Sequence, residues 1–102
     1  MKMVKHIVMW KLHDIAEGNG KLENAKKIKA DLEALKEVIK EIIEIEVGIN
    51  ELESDQSYDI LLYSIFKDFE DLNIYQNHPD HKKVAEFIGK VKSDRIAVDY
   101  TI

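Results

Sequence analysis

Four stretches of the chain have strand-like hydropathy, and they differ in how many of their faces are apolar. In Val4 to Leu12 (VKHIVMWKL), alternation places Val4, His6, Val8, Trp10 and Leu12 on one face. Ile7 and Met9 lie on the other, between Lys5 and Lys11. Tyr58 to Phe66 (YDILLYSIF) repeats this, with Ile60, Leu62 and Phe66 opposed to Leu61, Tyr63 and Ile65. The other two stretches are one-sided. Ile43, Ile45, Val47 and Ile49 alternate with Glu44, Glu46, Gly48 and Asn50, and Ile96, Val98, Tyr100 and Ile102 alternate with Arg95, Ala97, Asp99 and Thr101. A strand apolar on both faces needs cover on both sides. The first and third strands therefore belong in the middle of a sheet, and the second and fourth at its edges.

Between the strands the period changes. Leu22, Ala25, Ile28, Leu32 and Leu35 recur at threes and fours, which predicts a helix from Lys21 to about Lys36. Its end is blurred, because Val38, Ile39, Ile42 and Ile43 continue apolar, and the Lys/Glu run from Lys21 to Glu41 reads as a solvated face. His13 to Gly20 reads as a polar loop and Glu51 to Ser57 as a hairpin-like connection. A short helix from Lys67 to Gln76 runs through Phe69, Leu72 and Tyr75 and is broken at Asn77-His78-Pro79. A second runs from Asp80 to about Val91 with Val84, Phe87, Ile88 and Val91 on one side. Proline suits the first turn of that second helix.

The order is β-α-β-β-α-β with the second helical region broken in two. It predicts an α+β, ferredoxin-like domain with an antiparallel four-stranded sheet. No repeat, linker or low-complexity segment divides residues 1–102, so a single domain is expected. Helices can cover only one face of such a sheet. Ile7, Met9 and one row of the third strand would leave an apolar patch on the other, larger than monomers usually expose. A second sheet packed face to face is the simplest cover, so the expected partner is a second copy in a symmetric homodimer.

Composition narrows the remaining classes. A formal net charge of −5 argues against nucleic acid and anionic membrane surfaces as partners. With no cysteine, disulfides, zinc–thiolate sites and cysteine nucleophiles are excluded. No apolar run approaches the roughly 20 residues that span a bilayer. The amino terminus enters the first strand without the pattern of a signal peptide, so a cytoplasmic protein is expected.

The segment that most resembles a site is Tyr75-Gln-Asn-His-Pro-Asp-His81, where a tyrosine and two histidines flank the chain's single proline. His78 and Asp80 have structural explanations at the helix break, since negative charge is stabilised near a helix amino terminus. The proline between His78 and His81 and the lack of acidic ligand spacing argue against a metal. His6 shares an apolar row with Val8 and Trp10, where an imidazole must find a partner or water. Trp10 and Tyr100 read as core residues. No phosphate loop, Ser-His-Asp order or paired carboxylate site emerges.

Three pieces together resemble the stress-responsive dimeric α/β-barrel (Dabb) family: Lys5 to Leu12, Tyr75 to His81, and Val98-Asp99-Tyr100. Val47-Gly48 in the second strand also fits, and His-Pro-x-His between two short helices is the most specific part. The resemblance spans essentially the whole chain. It implies a dimeric α/β barrel, two ferredoxin-like protomers joined back to back through their sheets. Most members of the family have no assigned reaction. One plant member, olivetolic acid cyclase, closes a polyketide ring without metal or organic cofactor, using a tyrosine and a histidine that correspond here to Tyr75 and His81. A further pocket histidine corresponds to His6. A third-strand histidine of that enzyme has no counterpart, because Ile60 or a neighbour stands there.

The resemblance thus implies a cofactor-free pocket between sheet and helices, with Tyr75, His81 and His6 as candidate catalytic residues. His81 suits a general base because imidazole titrates near neutral pH, and Tyr75 could exchange a proton at a carbonyl oxygen. Three readings remain open: acid–base chemistry on an apolar carbonyl compound, a pocket that holds a ligand without chemistry, and a purely structural oligomer module. The third requires the space between the three side chains to be plugged by Phe69, Phe87 or Trp10, whereas the first two require it to be open.

Overall fold

A computed structural model describes residues 2–102. Met1, on which the amino-terminal expectation partly falls, lies outside the described residues. The strands are β1 (Val4–Leu12), β2 (Ile15–Ala16), β3 (Asn19–Gly20), β4 (Glu44–Ile49), β5 (Ile60–Phe66) and β6 (Lys92–Thr101). The helices are α1 (Lys21–Ala34), extended by a 3-10 turn at Leu35–Glu37, then α2 (Phe69–Asn77) and α3 (Pro79–Val91). The main sheet has the order β4-β5-β1-β6 with every pair antiparallel. Strands apolar on both faces are central, and one-sided strands form the edges.

The helices pack on one face only. Val4, Val8, Trp10 and Leu12 of β1 are buried there with Leu62 and Phe66 of β5, Ile28 and Leu32 of α1, and Ile88 of α3. The opposite face has no cover among the described residues. Register aligns Ile7 with Tyr63 on one side and Val98 on the other, and Met9 with Leu61 and Ile96. An apolar row therefore crosses three strands, with Ile96 42% and Val98 53% exposed.

Tyr100 does not belong to the core. Its register opposite Lys5 turns it onto the uncovered face, where it is 40% exposed. Trp10, by contrast, is buried. Leu22 also leaves the expected apolar stripe and is 56% exposed. At 3.6 residues per turn it lies about 100° from the centre of the buried residues of α1. Asn24 is buried in its stead, and its Nδ2 donates to the carbonyls of Ala16 at 3.1 Å and Asn19 at 3.4 Å. A periodicity count that admits only apolar residues misses such a polar clamp.

The expected polar loop after β1 contains the small β2–β3 hairpin. Glu17 at φ 51° and Gly18 at φ 77° occupy its two turn positions, the pattern of a type I′ turn. A β-carbon on Gly18 would meet no neighbouring atom, so any penalty there is backbone strain alone. Gly18→Ala is expected to cost about 1 kcal/mol in urea unfolding. An unchanged midpoint would mean that the turn relaxes freely.

Candidate functional site

The break between α2 and α3 builds the site. His78 takes φ −65° and ψ 135°, the extended conformation favoured before a proline, so α2 ends there. Its amide donates to the Tyr75 carbonyl at 3.2 Å, and its Nδ1 accepts from the Asp80 amide at 3.1 Å. His78 is thus the amino-terminal cap of α3, and Pro79 fills the first helical position, where no amide is needed. Across this break the rings of Tyr75 and His81 meet at 4.4 Å between centroids.

Tyr75 is fully enclosed. Its ring lies 4.9 Å from Phe66 on β5 and meets His6 on β1 edge-on at 6.4 Å. The hydroxyl is buried with no hydrogen-bond partner, and burial pushes its pKa well above the usual tyrosine range. It is a neutral phenol at any physiological pH. His81 is half-buried, and that burial lowers its pKa below the ordinary 6.5, partly offset by its hydrogen bond to the Gln76 carbonyl. Nδ1 donates in that bond at 3.1 Å. The neutral ring therefore keeps the lone pair on Nε2, as a proton acceptor requires.

His6 is only 3% exposed. Its Nδ1–H donates to Asp99 Oδ1 on the paired strand β6, the register partner of His6. A carboxylate can only accept, so the contact fixes the proton on Nδ1 and turns Nε2 away from Asp99. Residue patterns alone did not pick out Asp99 as a site residue. It belongs to the Val98-Asp99-Tyr100 piece and points inward from an edge strand, a signal that becomes readable only with the β1–β6 register.

A cavity of about 210 Å³ opens between sheet and helices, walled by His6, Val8, Trp10, Leu62, His81 and Ile88 among others. His6 and His81 both reach it, whereas Tyr75 lies behind them and does not line it. The residues that could have plugged it leave it open. Phe69 is 52% exposed, and Phe87 does not line it, while Trp10 forms a wall. Two larger depressions lack the histidines. One of about 380 Å³ lies among Lys11, Lys21 and Asp59, and one of about 440 Å³ opens on the uncovered sheet face beside Met9, Leu61 and Ile96. The smaller cavity is the more enclosed and is the one that carries titratable groups beside apolar walls, the combination expected of a ligand site. Among the described residues, no group of three His, Asp or Glu side chains is placed to hold a metal ion, and no helix is long and apolar enough to cross a membrane.

Residues 4–102 match the model of the family described as the stress responsive A/B barrel domain, or Dabb. The chain belongs to that family. It is 31% identical over 103 residues to the stress-response A/B barrel domain-containing protein DABB1 of Arabidopsis thaliana, covering 96% of this chain. The Dabb chain described here spans 46% of that relative's length. Among solved structures it resembles a dimeric protein of unknown function with a ferredoxin-like fold from Bacteroides fragilis. That likeness has a TM-score of 0.87 and 37% identity over 98% of this chain and 96% of the other. It also shares the fold of the hydroxynitrile lyase of Passiflora edulis, with a TM-score of 0.81 at 17% identity over 98% and 93% of the two chains. The Dabb fold, ferredoxin-like with an antiparallel four-stranded sheet, agrees with the expectation from element order. The dimeric relative supports self-association.

The lowered pKa of His81 has a consequence for stability. Between its folded-state value and 6.5 the unfolded Dabb chain binds the proton more readily than the folded one. Stability is expected to fall as pH drops from about 6.5 and to level off below the folded-state pKa. Urea melts across this range should show a smaller decline for His81→Gln, and an identical decline in both proteins would contradict the assignment.

Proposed function

We propose that this chain is a single Dabb domain of a homodimer joined through its sheet faces, and that the cavity binds a small, largely apolar carbonyl compound. On this reading His81 and Tyr75 move a proton on the ligand without metal or organic cofactor, and His6, held by Asp99, orients it. The observation that carries the reading is His81 itself. Its Nδ1 is tied to a carbonyl, its pKa is depressed, and its ring stands in the wall of an open cavity. An imidazole that is unprotonated at neutral pH and within reach of a ligand can serve as a general base.

The chemistry would run as follows. His81 Nε2 takes a proton from the carbon beside the carbonyl, and the bonding electrons move onto the carbonyl oxygen. The Tyr75 hydroxyl, protonated and without a partner, donates a hydrogen bond to that oxygen and keeps its proton, stabilising an enolate that can add to a second carbonyl or take the proton back from His81. The ligand must reach past the cavity wall for this, because the hydroxyl lies behind it. Binding without chemistry is accordingly the second reading, favoured by the absence of Tyr75 from the lining. That the same fold serves a hydroxynitrile lyase in Passiflora edulis is compatible with catalysis and specifies no reaction here. We place this chain in the cytoplasm.

Deuterium exchange at the carbon beside the carbonyl of phenylacetone or acetylacetone, followed by NMR in heavy water, tests the catalytic reading. The protein is expected to accelerate exchange, and His81→Ala to lose about 100-fold of that acceleration. Tyr75→Phe should lose part of it. Equal exchange in all three proteins removes the catalytic assignment and leaves the binding reading.

The dimer has its own test. Met9 sits mid-row on the uncovered face, paired with Leu61 and Ile96. Met9→Glu would bury a charge in a face-to-face interface at a cost of several kcal/mol. Sedimentation analysis is expected to show a dimer for the unmodified chain and a monomer for the variant. A variant that remains a dimer would contradict pairing through this face.

A further inference from the structure

The cavity is walled by eleven residues, none of them acidic, in a chain with 20 aspartates and glutamates. Two of the eleven are the permanent cations Lys92 and Arg95, both at the start of β6. Register pairs Arg95 with Trp10, which sets it on the helix-facing side at the cavity's rim. Neither cation forms an ion pair with a carboxylate among the described residues. Asp94, adjacent in sequence, faces the other side of the strand, where its Oδ2 accepts from the Tyr58 hydroxyl at 3.0 Å. Asp99 shares the face of Arg95, but it lies four residues along, about 13 Å away in an extended strand, and is engaged by His6. On α1, by contrast, Lys27 pairs with Asp31 at 2.7 Å and Lys29 with Glu33 at 2.8 Å.

We propose that the cavity takes an amphipathic monoanion, an apolar group about the size of a benzene ring carrying a carboxylate, with the carboxylate held by Arg95 and Lys92. The inference rests on the cavity being a ligand site and narrows its occupant to an anion. A guanidinium presents parallel donors that match a carboxylate, and an ammonium beside it adds charge without demanding a fixed direction. Apolar walls with few exits for the field strengthen the attraction, and they keep a locally positive site within a protein of net charge −5. The size fits as well. An apolar cavity of about 150 Å³ accepts benzene, so about 210 Å³ leaves room for a ring and its acid group. With the carboxylate at the rim, the apolar body lies against Val8, Trp10 and Leu62, and its carbon atoms come within the reach of His6 and His81.

Benzoate, phenylacetate and hexanoate, each compared with its neutral primary amide of nearly the same shape, test this directly. NMR titrations at low salt would follow the Trp10 indole and His81 imidazole signals in the unmodified chain, Arg95→Ala, Lys92→Ala and the double variant. Acids are expected to bind at least ten-fold more tightly than their amides. The preference should shrink in Arg95→Ala, vanish in the double variant and weaken with added salt, while amide binding that persists in the variants reports an intact cavity. If acids and amides bind alike, or if the preference survives both substitutions, the anion site is overturned and the cavity remains a ligand site. If no compound of either kind moves the ring signals, the ligand-site reading falls with it.

Discussion

The structure depends on an imbalance: one sheet with two apolar faces and enough helix to cover only one of them. β1 is paired on both sides, so it cannot avoid presenting one row of side chains to each face. The row Val4, His6, Val8, Trp10 and Leu12 is buried under the helices, and the row of Ile7 and Met9 is left without cover. Burying an aliphatic or aromatic side chain is worth about 1.5–3 kcal/mol, and in an isolated protomer Ile96 and Val98 forgo about half of that, while Ile7, Met9, Leu61 and Tyr63 are part-buried. A second copy resolves the deficit at one stroke. It also fixes where a cavity can be. Pairing through the open face, as proposed, would close the depression beside Met9 and leave the cavity between sheet and helices available to a ligand.

Much of this was legible in the residues because strand burial follows a period of two. The two-sided and one-sided strands assigned centre and edge before any pairing was known, and Pro79 marked the helix break. What escaped has a common cause, since it depended on which residue stands opposite which. Tyr100 reads as core until the β1–β6 register turns it outward, and Asp99 reads as a solvated edge residue until the same register sets it against His6. Arg95 is likewise an ordinary charged residue until it is seen beside Trp10. Leu22 failed for another reason: Asn24 is buried by hydrogen bonding, which hydropathy does not register. Tyr75, His81 and His6 were recognised through a sequence resemblance, and their geometry separates them. Two line the cavity and one stands behind it.

The two cavity histidines are held differently, which divides their work. His6 is tethered to a carboxylate on a neighbouring strand, so its ring is fixed by sheet geometry and by a charged acceptor. His81 is tethered to a main-chain carbonyl in the turn before its own helix, a neutral acceptor that adds little to its basicity. An imidazole hydrogen-bonded to a carboxylate is oriented firmly. One held by a carbonyl and half withdrawn from water keeps a weaker hold on a proton and can pass it on. On the proposed acid–base reading these tethers would make His81 the exchangeable base and His6 the fixed element.

Tyr75 weighs against a purely structural account. Its ring packs on Phe66, His6 and His81, and a phenylalanine would make the same contacts. The hydroxyl adds no hydrogen bond among the described residues and lies wholly out of water. A buried donor left unsatisfied costs about 1–3 kcal/mol, a sizeable part of the margin by which a small domain stays folded. Its neighbours show that the interior can satisfy polar groups: the Ser64 hydroxyl donates to the His6 carbonyl at 2.9 Å, and the His6 ring to Asp99. The one side-chain oxygen in this cluster without a partner belongs to the residue stacked against the candidate base. Stability alone would favour phenylalanine at that position, whereas on the proposed reading the hydroxyl would serve as a hydrogen-bond donor beside His81.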